Sequence, residues 1–107
     1  MGKYSIIMST FPNRKEAGRI ADMLLKKRLV ACANIISAVE SKYWWKGKIE
    51  KGKEALAIIK TRKSLVDKVI AEIKKNHSYD VPEVIELPIL RGNGNYLKWI
   101  DEITKRG

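Results

Sequence analysis

The sequence predicts an α+β domain with the ferredoxin-like order βαββαβ, an antiparallel sheet and one added C-terminal helix. Two observations carry this: a strand, helix, strand, strand, helix, strand succession punctuated by Pro, Gly and Asn, and two segments whose apolar residues recur at helical spacing. A third is the glycine-bearing stretch 41–61, which reads as a hairpin between the two halves. At 107 residues the chain is one domain, 1–107, with a single core.

Tyr4 to Thr10 reads as the first strand, centred on Ile6, Ile7 and Met8, and Phe11-Pro12-Asn13 ends it. Asn13 is placed to cap the first helix, with Glu16 where a capping box puts it. Ala17, Ile20, Ala21 and Leu24 form its apolar stripe, and Lys26, Lys27 and Arg28 suit its negative end. The second strand is expected from Leu29 to about Val39. Either Gly47 or Lys51-Gly52 forms the tip of the hairpin into the third strand, which ends near Thr61. Thr61 is the expected cap of a second helix carrying Val66, Val69, Ile70 and Ile73 and stopping at Asn76. A fourth strand, Glu83 to Leu87, lies between Pro82 and Pro88. After the turn Gly92-Asn93-Gly94-Asn95, a last helix to about Lys105 presents Tyr96, Trp99, Ile100 and Ile103 on one side, Tyr96 and Trp99 being core residues by default.

The stretch 41–61 opens with Tyr43, Trp44 and Trp45 and closes on the apolar run Ala55 to Ile59. A strand with one face in water alternates apolar with polar, and this one does not. If both helices cover one face, about half of Val30, Cys32, Ile35, Leu56 and Ile58 has no cover within the chain. Such a patch marks an interface. A homo-oligomer built on the sheet follows, a cyclic dimer being the default for closed assemblies.

The net charge of +10 fits an acidic partner or nucleic acid, but Lys and Arg are interspersed with Glu and Asp rather than set in a basic stripe. Nucleic acid is therefore not the expected partner. No run reaches the roughly 18 apolar residues of a membrane helix, and no signal-peptide core follows Met-Gly-Lys-Tyr-Ser. With one cysteine, Cys32, and no disulfide framework, the expected location is the cytoplasm and no membrane partner is expected.

Ser-Thr-Phe-Pro at 9–12, Arg-Leu-Val-Ala-Cys-Ala-Asn-Ile at 28–35, Tyr-Trp-Trp-Lys-Gly-Lys-Ile at 43–49 and Ile-Ile-Lys-Thr at 58–61 stand in one order and spacing. His-Ser-Tyr-Asp-Val-Pro-Glu-Val at 77–84 and Tyr-Leu-Lys-Trp-Ile at 96–100 continue it. Together they resemble the divalent-cation tolerance family, CutA, over essentially the whole chain. The resemblance implies a ferredoxin-like fold in a tight homotrimer of PII-like shape, the hairpin of one subunit reaching its neighbour, so a trimer replaces the dimer. It also implies tolerance to copper and other divalent cations and no established catalysis. Cys32, Asn34, Tyr43, Trp44, Trp45, Gly47, Lys60, His77, Tyr79, Pro82, Tyr96 and Trp99 match the family's motifs and line or support clefts between subunits. Ser78 departs from the pattern, where the family usually carries proline.

No phosphate-binding loop, dinucleotide fingerprint or zinc pair is present. Any metal site is assembled from distant residues, and Cys32, His77, Asp80 and Glu83 are the candidate ligands, thiolate and imidazole suiting copper and carboxylates completing the charge. Set against this, Cys32 on an apolar strand reads as a small core residue, and His77 past a helix end as a cap or loop donor. Lys60 ends an apolar strand and calls for a carboxylate, a bound small anion or a route to solvent. Asn34, Lys60, Tyr79 and Trp45 are the expected ligand-cleft residues, and Tyr43, Trp44, Ile58 and Trp99 the expected interface. Three functions compete: a non-catalytic module binding a divalent cation or small anion, an RNA-binding or PII-like signalling domain, and an enzyme using Lys60, His77 and Tyr79. The first is preferred, with copper or another divalent cation as the only cofactor expected.

Overall fold

The computed structural model describes residues 2–105; of the single domain expected over 1–107, Met1, Arg106 and Gly107 lie outside the described residues. The chain runs β1 (Tyr4–Phe11), α1 (Arg14–Lys26), β2 (Cys32–Trp45), β3 (Lys48–Arg62), a 3₁₀ turn (Lys63–Leu65), α2 (Val66–Asn76), β4 (Val84–Ile89) and α3 (Gly94–Ile103). The strands form one antiparallel sheet in the order β2-β3-β1-β4. This is the α+β arrangement that the element order predicts.

Local chemistry sets the helix ends. Asn13 caps α1 by accepting from the Glu16 amide at 2.8 Å. Only half of a capping box forms, since the Glu16 carboxylate is spent on Ser78. Thr61 does not cap α2: it is the penultimate residue of β3 and its hydroxyl donates to the Leu29 carbonyl at 2.6 Å. The buried segment Leu29–Ala31 needs that donor, because it is not yet strand; β2 starts at Cys32 rather than at Leu29. β2 also runs past Val39 to Trp45, and the hairpin tip is Lys46-Gly47, both residues at positive φ (50° and 78°) as a two-residue tight turn requires. Gly52 lies inside β3 opposite Ser41. β4 is displaced towards its C-terminus, ending at Ile89, and Pro88 sits within it because β4 is an edge strand whose missing N–H costs no ladder bond.

Burial alternates where the sequence does not. In β1 and β3 one face, Ser5, Ile7, Ser9 and Phe11 with Ala55, Ala57, Ile59 and Thr61, is fully covered by α1, the 3₁₀ turn and α2 through Ile20, Leu24, Leu65, Val69 and Ile73. The other face carries Ile6, Met8, Leu56 and Ile58, in register with Cys32, Asn34 and Ile36 on β2 and Ile85 and Leu87 on β4. Val30 and Ile35 belong to the covered side. α3 covers only one end of the open face. There Ile100 is buried, Tyr4 donates to Asp101 Oδ2 at 2.6 Å, and Arg62 donates to the Thr104 hydroxyl at 2.7 Å. Ile36, Ile85 and Leu87 remain exposed, and so do Tyr96 and Trp99, which are not core.

Between Ile36 and Val39 the register with β3 slips by one residue, Ser37 and Ala38 sharing one partner position, with Ala38 at φ 61°. Such a bulge bends the strand. Beyond it, residues 39–54 form a two-stranded arm with Trp44 at 72% and Ile49 at 66% exposure. The molecule is accordingly 44 Å long against 21 Å in its shortest direction, with a radius of gyration of 14.4 Å, above the roughly 13 Å of a compact domain this size.

Replacing Ile7, wholly buried on β1 between the two helices, tests the placing of the core. Ile7→Ala is expected to cost about 2–5 kcal/mol, measured by urea denaturation, whereas Ile7 on the open face would cost far less.

Candidate functional site

The structure sorts the residues singled out from sequence into two places at opposite ends of the open face. The first is a corner on the paired positions Cys32 and Lys60. The Lys60 ammonium donates to Asn34 Oδ1 and lies 3.9 Å from Cys32 Sγ. Tyr96, carried over this corner by α3, is held above the usual phenol range by burial and by its neighbour Cys32. Cys32 is a half-exposed free thiol, not a core residue. Lys60 thus finds a side-chain amide and a thiol rather than a carboxylate.

The second place is a hollow of about 750 Å³ where the arm leaves the sheet, lined by Thr10, Ser41, Lys42, Tyr43, Trp45, Glu54, Tyr79, Asp80, Val81 and Glu83. Two elements build it. Trp45 and Tyr43 come from the arm, and Tyr79, Asp80 and Glu83 from the loop between α2 and β4. The Tyr79 hydroxyl donates to Glu54 Oε2 at 2.9 Å and ties loop to arm. Burial first, and then the Glu54 bond and charge, push the Tyr79 phenol up to about 12. The Asp80 and Glu83 carboxylates have no hydrogen-bond or ion-pair partner among the described residues.

His77 anchors that loop from inside. Its ring stacks on Phe11 at 4.6 Å and is tilted against Tyr79 at 4.8 Å. Nε2 lies 2.7 Å from the Thr10 carbonyl, which can only accept, so Nε2 carries the proton; Nδ1 then accepts from the Tyr79 amide at 3.1 Å. With both nitrogens engaged and the side chain buried, His77 is a core histidine that shapes the loop. Next to it, the Ser78 amide donates to Glu16 Oε2 at 3.0 Å, a bond that proline at this position could not make. Burial raises the Glu16 pKa, but the Ser78 bonds and His77 outweigh it and bring the carboxyl below its ordinary range.

The four candidate metal ligands therefore do not converge within one chain. Asp80 and Glu83 share the hollow, His77 is committed behind it, and Cys32 pairs with Lys60, opposite Ile6. Ile6 and Thr10 are four residues apart on β1, about 13 Å. Among the described residues no three His, Cys, Asp or Glu side chains cluster as a metal site. The expected cleft set divides in the same way: Asn34 and Lys60 go to the corner, Tyr79 and Trp45 to the hollow. Of the proposed acid–base set, His77 and Tyr79 touch but Lys60 lies apart at the corner. Tyr43 lines the hollow while Trp44, opposite Ile49, is exposed on the arm, Ile58 is half-buried on the open face and Trp99 stacks near Tyr96 with centroids 5.5 Å apart. Glu54 was missed from sequence, and Glu16 was read only as a capping-box residue, not as the acceptor of the Ser78 amide. Glu54's only signal is a carboxylate immediately before the run Ala55–Ile59.

Comparison with known proteins places these features in context. The family model for the CutA1 divalent ion tolerance protein matches residues 5–103. The chain is 46% identical over 100 residues to the chloroplastic protein CutA 1 of Oryza sativa subsp. japonica, covering 94% of this chain and 56% of that one. It is 45% identical over 101 residues to the divalent-cation tolerance protein CutA of Pyrococcus horikoshii, covering 94% and 98%. The chain thus spans little more than half the length of its plant relatives. Among solved structures, CutA1 from Oryza sativa superposes with a TM-score of 0.96 at 43% identity over 99% and 97% of the two chains. The periplasmic divalent cation tolerance protein CutA from Archaeoglobus fulgidus gives 0.92 at 43% over 95% and 99%.

Removing the Glu54 charge is expected to bring the Tyr79 midpoint down from about 12 without reaching 10, because burial, the larger cause, persists. Ultraviolet difference titration of wild type, Glu54→Gln and Tyr79→Phe checks this; an unchanged midpoint in Glu54→Gln would contradict the tie. Because the folded pKa is the higher one, the stability it contributes is complete below the unfolded value of 10.0 and is lost as pH rises from there to about 12.

Proposed function

The chain belongs to the CutA1 divalent ion tolerance protein family, and we propose that it works as a non-catalytic cytoplasmic homotrimer whose inter-subunit clefts take a divalent cation, copper included, and a small anion. The open apolar face carries this reading. The chain exposes 7156 Å², where a compact monomer of 12.2 kDa exposes about 6,100 Å². The excess, on the order of 1,000 Å², is the scale of one partner's share of a standard interface. Two-stranded arms are marginal alone, so Trp44 and Ile49 call for a surface to lie on. A cyclic trimer supplies one, each arm lying on the next subunit, with Tyr43, Ile58 and Trp99 also in the contact.

The donors left unspent by the fold define what the clefts take. Asp80 and Glu83 have no side-chain partner among the described residues and Cys32 is half-exposed; on one chain they are apart, so a copper site draws them from more than one subunit, with His77 holding the loop. A thiolate with carboxylates suits copper and zinc. Lys60, with Asn34 and Cys32 beside it, presents a cation to a small anion on an otherwise apolar face. The open-face positions Ile6, Met8, Leu56 and Ile58 offer no ring for a base to stack on, which speaks against RNA. No described helix is long and apolar enough to cross a membrane, and a free thiol suits a reducing compartment.

Calorimetric titration with copper(II) is expected to saturate, with Cys32→Ser and Asp80→Asn each weakening binding at least about tenfold. An isotherm identical in both variants would leave the copper reading without its ligands.

A further inference from the structure

We propose that Glu16, on the first turn of α1, is a positioning residue for the loop that carries Asp80 and Glu83: it fixes the entry of that loop from the helix layer, and so sets how the two carboxylates are presented to a divalent cation. The role toward the cation rests on the reading above; the hold on the loop does not.

Residues 77–83 belong to no helix or strand, so bonds to neighbouring elements decide their course. At the exit the Ser9 hydroxyl donates to the Glu83 carbonyl at 2.7 Å. In the middle the Tyr79 hydroxyl donates to Glu54 Oε2 at 2.9 Å. At the entry His77 is held by the Thr10 carbonyl, and the Ser78 amide donates to Glu16 Oε2 at 3.0 Å. The Asp80 side chain has no bond of its own among the described residues. Its position follows from the ties on either side of it.

Glu16 differs from the other ties in where it stands. α1 covers the face of the sheet opposite the open one, so Glu16 lies outside the clefts and outside the contact between copies, and its influence on a cation there passes through Ser78. Its side chain is only 13% exposed. A carboxylate so far withdrawn from water is costly unless it is hydrogen-bonded, which ties Glu16 to the loop as firmly as the loop to Glu16. The helix cap does not compete for it, because Asn13 accepts from the Glu16 amide and not from its carboxylate. α1 grips the same junction a second time, Arg19 donating to the carbonyl of Asn76, the last residue of α2, at 3.4 Å.

Two substitutions separate position from charge. Glu16→Gln keeps an oxygen that accepts from the Ser78 amide, and Glu16→Ala keeps none. Ser78→Pro removes the donor but stiffens the chain in its place, since His77, at φ −78° and ψ 143°, already has the extended conformation that a following proline imposes. Hydrogen exchange and copper(II) calorimetry on the intact protein test the proposal. The probe is the Tyr79 amide, which bonds to His77 and not to Glu16. Glu16→Ala is expected to speed its exchange about tenfold and to weaken copper binding about three- to tenfold, with the amides of β1 and β3 unaffected. Glu16→Gln should stay close to wild type in both, and Glu16→Ala should lose its effect in the Ser78→Pro background. Unchanged Tyr79 exchange in Glu16→Ala, or exchange raised equally throughout the chain, would overturn the hold on the loop. Copper affinity unchanged in Glu16→Ala, or lowered equally by Glu16→Gln, would overturn the role toward the cation. A wild-type protein that binds no copper removes that role together with the reading above, and Tyr79 exchange still decides the hold on the loop.

Discussion

A sheet with two apolar faces and helices enough for only one is the constraint from which the rest of this structure follows. α1 and α2 bury Ile7, Phe11, Ala57 and Ile59, and the short α3 reaches only the end marked by Tyr4 and Ile100. Ile36, Ile85 and Leu87 stay in solvent, and the arm extends the same problem outward through Trp44 and Ile49. At roughly 25 cal/mol per Å², covering an excess exposure of order 1,000 Å² is worth up to about 25 kcal/mol, more than the roughly 5–15 kcal/mol a small domain has as net stability. The proposed assembly answers it by covering the face with another copy of the chain.

The same constraint organises the chemistry. Charged and reactive groups of the open face sit at its margins, where backbone and bulk solvent can serve them. Lys60, Cys32 and Asn34 occupy the margin under α3; Glu54, Asp80 and Glu83 occupy the margin at the root of the arm. The two ends therefore differ in sign, a cation at one and carboxylates at the other. Between them lie only Met8, Ile58 and neighbours. His77 shows how much of the hollow is structural: its ring belongs to the core beside Phe11, and through Thr10 and Tyr79 it sets where the loop places its acids.

What the sequence made legible is what short-range periodicity encodes. The stripe Ala17, Ile20, Ala21, Leu24 and the cap Asn13 were readable because helix geometry repeats every few residues. The uncovered face was readable as the failure of strands to alternate. The bulge at Ser37-Ala38 was not, because Ala38 adopts positive φ with no glycine to announce it. Thr61 looked like a cap until the Leu29 carbonyl, 32 positions away in sequence, claimed its hydroxyl. Candidate site residues such as Lys60, Asn34 and Asp80 stood out in the sequence as polar groups beside apolar runs, but their partition into corner and hollow depends on strand register, which no local signal carries. His77 was the extreme case, its partners Thr10 and Phe11 lying 67 and 66 residues upstream.

Sedimentation equilibrium across a wide concentration range tests the central claim most directly. Burial of the open face between copies predicts one species of three times 12.2 kDa, with no dissociation at low concentration. A stable, well-behaved 12.2 kDa particle over the whole range would contradict it.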